Sequence, residues 1–259
     1  MERARFCHLT VDEVKKDAYV WHEEKWIFSD EWHAHEKGQL IYVEHGFQYL
    51  HTADKKYLLP THHCAWIPPQ LLHKSSSPEE NVFLRCTFFK SNQRSPFFKE
   101  INIFHTPKVL REMILHTAQY SQLKDYDPVE ADFLQAILSS LPLMCSASVP
   151  LMIPVPQDKR LSAIADELTS QIDTSFNLKE IASRHAFSER TLERLFQKDI
   201  GMSPASYIKL LRMIKAVELL SQATENVSSV AYKVGYNSVP TFSNTFKQVI
   251  GVRPQDMFK

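Results

Sequence analysis

The last hundred residues contain one pattern twice, and this internal repeat restricts the fold more than any other feature. The matching positions are Ala182 and Ala231, Phe196 and Phe246, Gly201 and Gly251, and Pro204 and Pro254. The two alanines are 49 positions apart and the other pairs are 50 apart, so the second copy carries one inserted residue. Because chance rarely keeps several residue types in register over this distance, we expect two copies of one supersecondary unit.

Each copy has the residue order of a helix-turn-helix. A short helix contains an alanine suited to close packing, and a tight turn follows at Ala186 or Gly235. Ser188 or Ser238 then caps a second helix that has one apolar side, expected to face inward, and one exposed polar side. The polar side of such a helix suits the DNA major groove. A single copy of this pattern is equally compatible with two packed helices whose charged sides are merely solvated. Two copies in register favour DNA binding.

Charge is distributed unevenly along the chain. Residues 1–157 carry 16 Lys+Arg and 19 Asp+Glu, a net charge of −3, whereas residues 158–259 carry 14 and 11, a net charge of +3. Three prolines close to the division predict an extended linker, since proline lacks a backbone donor and disfavours helix before itself. The expected segments are a domain at 1–148, a linker at 149–157 and a DNA-binding domain at 158–259.

A set of motifs is distributed along most of the second domain. They are residues 181–182, 188–196, 201–207, 212–216, 219–220, 230–231 and 235–236, with Phe242, Phe246, Lys247, Gly251 and Pro254. In combination they resemble the DNA-binding domain of AraC/XylS-type bacterial transcription regulators. The resemblance implies an all-α unit of seven helices, two of which are recognition helices.

The same resemblance implies which residues contact DNA. On the first recognition helix they are Arg190, Thr191, Glu193 and Arg194. On the second they are Val239, Pro240, Thr241, Ser243, Asn244 and Lys247. Lys247 would contact a phosphate, which positions the protein without reading sequence. Asn244 stands where the family usually has arginine, so adenine rather than guanine is the expected partner.

The first domain changes from strand to helix periodicity near residue 90. Residues 39–43 and 81–89 are rich in β-branched and aromatic types, which predicts strands of a small barrel or sandwich. Apolar residues then recur at helical spacing in two stretches, Val109-Leu110-Met113-Ile114 and Leu134-Ile137-Leu141-Met144. We expect two amphipathic helices whose apolar sides pack on the barrel or on a partner subunit.

Three histidines and one glutamine form the most distinctive local pattern of this domain. His33, His35 and Gln39 share one parity, so on a strand they face the same side, and His73 follows a Pro-Pro turn. The pattern resembles the cupin barrel, in which two histidines, a glutamate and a third histidine converge, with Gln39 at the glutamate position. The implied fold class is α+β: an N-terminal cupin-like β-barrel with following helices, then a C-terminal all-α domain with two helix-turn-helix units.

The histidine cluster has two interpretations. His33, His35, Gln39 and His73 could bind a divalent metal such as zinc, nickel or iron, because imidazoles and an amide oxygen suit these ions. They could instead hydrogen-bond a small organic effector, since glutamine lacks the negative charge that stabilises a bound cation. The sequence leaves both interpretations open.

These features predict a sequence-specific transcription regulator, not an enzyme, that a small-molecule or metal effector controls. Its expected partners are double-stranded promoter DNA, a second copy in a homodimer formed by the helices after the barrel, and RNA polymerase if it activates transcription. The alternatives are a metal-dependent cupin enzyme that carries a DNA-binding domain, and a DNA-binding protein without an effector.

Other classes lack support in the sequence. The GxxxxGK[ST] and GxGxxG fingerprints and a Ser/His/Asp arrangement are missing. No apolar run reaches the ~18 residues of a membrane span, and residues 1–6 lack a secretion signal. The expected location is therefore the cytoplasm, in association with the nucleoid.

Overall fold

The computed structural model describes residues 11–90, 95–120, 127–145, 151–174, 176–222 and 225–257. The chain divides into two compact units. The first comprises Met1–Thr52 and Tyr57–Pro150, and the second comprises Ala53–Lys56 and Leu151–Lys259. The division after Pro150 falls in the segment for which the sequence predicts an extended linker.

Nine strands lie in the described ranges. They are β1 Ala18–Glu23, β2 Gly38–His45, β3 Phe47–His51, β4 Lys55–Pro60, β5 His63–Ile67, β6 Lys74–Ser76, β7 Phe83–Phe89, β8 Asn102–His105 and β9 Met152–Pro154. The two strand predictions from the sequence correspond to β2 and β7. The sequence did not indicate β8, a strand of four residues that lies after residue 90, where the strands were expected to end.

The first unit contains two sheets. The larger has the order β1-β7-β2-β5-β8 with antiparallel neighbours, and β6, β3 and β4 lie side by side in the smaller. Gly46, at φ 77°, turns the chain from β2 in one sheet into β3 in the other. Among the described residues the larger sheet ends in β1 and β8, so the strands form a two-sheet structure and not one closed barrel.

Strand β2 lies between β5 and β7 and separates two interiors. Leu40 and Tyr42 belong to the core beneath the helices, whereas Gln39 and Ile41 line a cavity on the other side of the sheet. This alternation follows from the two-residue period of a strand. It also explains why β2 is almost entirely buried and reads as a nearly continuous apolar run.

The described residues form eight α-helices and three 3₁₀ turns. The α-helices are α1 Lys108–His116, α2 Pro128–Met144, α3 Lys159–Ser170, α4 Leu178–Arg184, α5 Glu189–Asp199, α6 Pro204–Ser221, α7 Val227–Lys233 and α8 Val239–Ile250. The 3₁₀ turns are Pro96–Lys99, Thr117–Gln119 and Pro254–Asp256. None of these helices combines the length and the apolar character that crossing a membrane requires.

Helices α1 and α2 pack on the larger sheet of their own unit. Leu110 and Ile114 of α1, with Leu134, Ile137 and Leu141 of α2, join one apolar core with strand residues such as Trp66. Both helix predictions are confirmed, and intramolecular packing accounts for these apolar sides. Val109 differs from the expected stripe: its side chain is 55% exposed.

The second unit contains the two copies of the repeat, α4–α5 and α7–α8. Ser188 and Ser238 accept hydrogen bonds from the backbone N–H of Thr191 and Thr241, the third residues of α5 and α8, as the sequence predicts. Both turns use left-handed backbone, at Ala186 (φ 57°) and Gly235 (φ 79°). The long helix α6 connects the copies. Six α-helices and the Pro254–Asp256 turn stand where the resemblance implies seven helices.

Candidate nucleic-acid interface and histidine pocket

Helix α5 presents a polar side opposite its buried residues. Leu192 and Phe196 are fully buried, whereas Arg190, Glu193 and Arg194 are exposed. The sequence assigned these three exposed residues to DNA. Thr191 is half-buried, and its hydroxyl lies 2.8 Å from the Ser188 hydroxyl at the helix cap, so its nearest role is to complete that cap.

Helix α8 repeats this arrangement. Phe242 and Phe246 are fully buried. The residues assigned to DNA lie on the other sides of the helix: Pro240, Thr241, Asn244 and Lys247 are exposed, and Val239 and Ser243 are half-buried. The two helices therefore keep all ten assigned residues outside the apolar core.

Four cations of the second unit outside α5 and α8 are held in ion pairs. Among them, Arg184 binds Glu167, Lys215 binds Glu218 and Lys233 binds Glu225. By contrast, no ion pair joins Arg190, Arg194 or Lys247 to any residue that the structure describes. Their charges thus need no internal partner to be displaced before they meet an anion.

The predicted histidine cluster lies in the first unit. His33 and His73 form an isolated antiparallel bridge in which each backbone N–H donates to the other residue's carbonyl, at 2.9 Å both ways. This bridge brings together residues 40 positions apart in the chain. His33, His35 and His73 each offer a ring nitrogen, and these nitrogens lie within 4.8 Å of one another. His35 and His73 are almost fully buried.

Backbone carbonyls fix the orientation of the three rings. Nδ1 of His33, His35 and His73 lies in hydrogen-bond contact with the carbonyl oxygens of Glu31, Lys37 and Leu71, respectively. A carbonyl only accepts, so each Nδ1 carries the hydrogen and, in the neutral ring, Nε2 carries the lone pair. Such backbone contacts are the usual second contacts of metal-binding histidines.

Burial keeps the inner two rings neutral. It lowers the pKa of His73 to about 3, and it lowers the pKa of His35 as well. At neutral pH these rings therefore present lone pairs and need lose no proton to coordinate a cation.

Gln39 lies beside this cluster, as the sequence predicts. Its Oε1 is 3.3 Å from Nε2 of His35, and its Nε2 is 3.6 Å from Sγ of Cys86. The amide thus directs its oxygen towards the imidazoles. Three neutral imidazoles and one neutral oxygen suit a borderline divalent ion such as zinc, nickel or iron.

A small cavity between the two sheets adjoins the cluster, with a volume of about 30 Å³. His33, Gln39 and His73 line it, together with Gln48 from β3 and Cys86 from β7. Neither Gln48 nor Cys86 was predicted from the sequence. The one signal for Gln48 was a polar residue inside the apolar run of β3; a lone buried cysteine gives none.

Known protein families match both units of the chain. A helix-turn-helix domain family matches residues 181–259, and the family described as AraC-like ligand binding domain matches residues 15–197. The transcriptional regulator NimR of Escherichia coli K12 is 26% identical over 222 residues, which cover 86% of this chain and 80% of NimR. GbdR of Pseudomonas aeruginosa UCBPP-PA14 is 36% identical over 110 residues, which cover 42% of this chain and 30% of GbdR.

Solved structures give similar matches. A regulator with an AraC-type DNA-binding domain from Chromobacterium violaceum aligns with 38% of this chain and 88% of its own, at 27% identity and a TM-score of 0.37. ToxT from Vibrio cholerae, with a bound unsaturated fatty acid, aligns with 93% of this chain and 94% of its own, at 15% identity and a TM-score of 0.38. Because the ligand-binding family matches more than half of the residues, this chain belongs to the AraC family and is a DNA-binding transcriptional regulator with a ligand-binding domain.

Proposed function

We propose that a divalent metal ion, held by His33, His35 and His73 with Gln39, is the effector that controls DNA binding. The observation that carries this proposal is the convergence of three imidazoles whose Nδ1 atoms are all engaged by backbone carbonyls. A neutral organic effector would need no such shared orientation. The relatives are named transcriptional regulators, which favours control of transcription over catalysis by this site.

On the DNA side, α5 and α8 enter two major grooves. Arg190 and Arg194 pair with guanine, and Asn244 pairs with adenine through N6 and N7. Lys247 contacts a phosphate and sets the register. What supports these roles is the exposure of the four side chains and the absence of ion pairs to described residues for the three cations.

Two further partners belong to the proposal. A second copy meets this one through the outer side of α2, where Val129 and Leu143 are exposed apolar residues on a helix whose other side is already buried. RNA polymerase is the partner if the protein activates transcription. The metal regulates only if it binds the DNA-competent arrangement with a different affinity from the other arrangement.

Metal-dependent operator binding tests the proposal. An operator is first selected from random DNA with the full chain, and its dissociation constant is then measured with and without Zn²⁺, Ni²⁺ or Fe²⁺. We expect one ion to change the affinity by roughly 5- to 150-fold, the usual size of an allosteric coupling. His73→Ala should bind the operator but lose the response, because the variant lacks one imidazole.

His45→Ala is the matched control, since it also removes one histidine of the first unit but one that is exposed and outside the cluster. It should respond as the unchanged protein does. The proposal is wrong if no ion binds, or if an ion binds and the operator affinity stays the same. A thermal shift caused by an organic compound, and by no metal, would favour the organic interpretation.

A further inference from the structure

The charge of the residues that line the histidine pocket determines what else a bound cation needs there, an inference that rests on the proposed metal site. Among the described residues that line the cavity, none is Asp, Glu, Lys or Arg. The carboxylate of Asp12 interacts electrostatically with His35. It is exposed, however, and accepts a hydrogen bond from the backbone N–H of Glu36. A divalent cation on neutral ligands would therefore leave its charge unbalanced in a buried site, which is costly.

Gln48 supplies an independent observation. Its side chain is fully buried, and neither amide atom has a hydrogen-bond partner among the described residues, although Gln48 lines the same cavity. A buried polar group without a partner destabilises the folded state, so such groups commonly serve a ligand or ordered water. The Gln48 amide can donate to an oxygen atom in the cavity through Nε2.

The size of the cavity limits that oxygen-bearing group. A volume of about 30 Å³ holds one or two water-sized groups. Trp26 and Phe28, from an irregular segment, also line this cavity, so a larger molecule would come into contact with them. The fitting group is an anion of few heavy atoms, and carboxylate is the chemistry that both a divalent cation and an amide N–H bind.

We propose that the pocket binds its cation together with a small carboxylate anion, which neutralises part of the charge and accepts a hydrogen bond from Gln48. The two ligands then bind cooperatively: each raises the affinity for the other by the same factor. Gln39 is central to this behaviour, because a glutamate in its place would supply the missing negative charge from the chain itself.

Calorimetric titration of the full chain with Zn²⁺, in the presence and absence of formate at constant ionic strength, tests this inference. Formate should raise the Zn²⁺ affinity by about tenfold. In Gln48→Met the new side chain has a similar length and no amide. This variant should still bind Zn²⁺ but lose most of the increase in Zn²⁺ affinity that formate causes. Gln39→Glu should bind Zn²⁺ more tightly than the unchanged protein without formate and should show little gain with it.

The possible failures are distinguishable. If Zn²⁺ binds equally well with and without formate, the inference is overturned while the metal site stands. If Cys86→Ser alone removes Zn²⁺ binding, the cysteine thiolate supplies the charge and the inference is again overturned. If no metal binds under either condition, the proposed function itself fails. Thermal melting of each variant checks that a loss of the formate effect on Zn²⁺ affinity does not come from unfolding.

Discussion

Replacing Arg194 with alanine is expected to weaken binding to a selected operator by about 1–3 kcal/mol and to relax the sequence preference at one base pair. Arg194 is exposed on the polar side of α5 and pairs with no described carboxylate. Its guanidinium can thus donate two hydrogen bonds to the major-groove edge of guanine. The measurement is the dissociation constant on the operator and on its single-base variants, at one salt concentration.

Lys247→Ala is the control for this prediction. Lys247 lies near the end of α8 and is exposed, so we expect it to contact a phosphate. Its loss should weaken binding to all sequences alike and reduce the salt dependence by about one phosphate contact. If Arg194→Ala also weakened operator and unrelated DNA equally, Arg194 would not read a base.

Gly235→Ala is expected to lower the free energy of unfolding by about 2 kcal/mol, because a non-glycine residue in left-handed backbone is strained. Gly235 has φ 79°, and an added Cβ would lie 2.9 Å from Nη2 of Arg212 and 3.1 Å from the Asp173 carbonyl oxygen. Arg212 cannot move freely, since it donates to the carbonyls of Ile172 and Thr174. Urea unfolding of the full chain measures the loss.

The equivalent turn of the first copy predicts the opposite sign. Ala186 has φ 57° and is exposed, so its backbone is strained and its methyl group makes little packing contact. Ala186→Gly should therefore raise the free energy of unfolding by about 0.5–1 kcal/mol. A destabilised Ala186→Gly, or an unchanged Gly235→Ala, would show that the two turns do not carry the strain that their backbone angles indicate.

The helical unit was predictable because local signals agree with each other. The spacing of the two copies fixes which residues repeat, and serine caps mark where α5 and α8 begin. The apolar side of each helix then determines which residues are left outside. The resemblance to the AraC family, which the comparisons confirm, rested on these same positions.

The pocket was predictable only in part. The parity of His33, His35 and Gln39 indicated a common side, but the isolated bridge that joins His33 to His73 depends on a pairing between distant segments. Gln48 comes from the smaller sheet, and no local pattern shows that it lines the same cavity as the histidines. The division of the strands into two sheets has the same origin, since Gly46 alone does not reveal that the chain changes sheets.

Hydroxyl-radical footprinting of the full chain on its selected operator tests most directly whether both α5 and α8 read DNA. We expect two protected segments for each bound chain, about one helical turn (~10 base pairs) apart on the same side of the duplex. Asn244→Ala should weaken the protection of the segment that α8 contacts and leave the protection of the segment that α5 contacts unchanged. A single protected segment for each chain, unaffected by Asn244→Ala, would show that α8 does not read DNA.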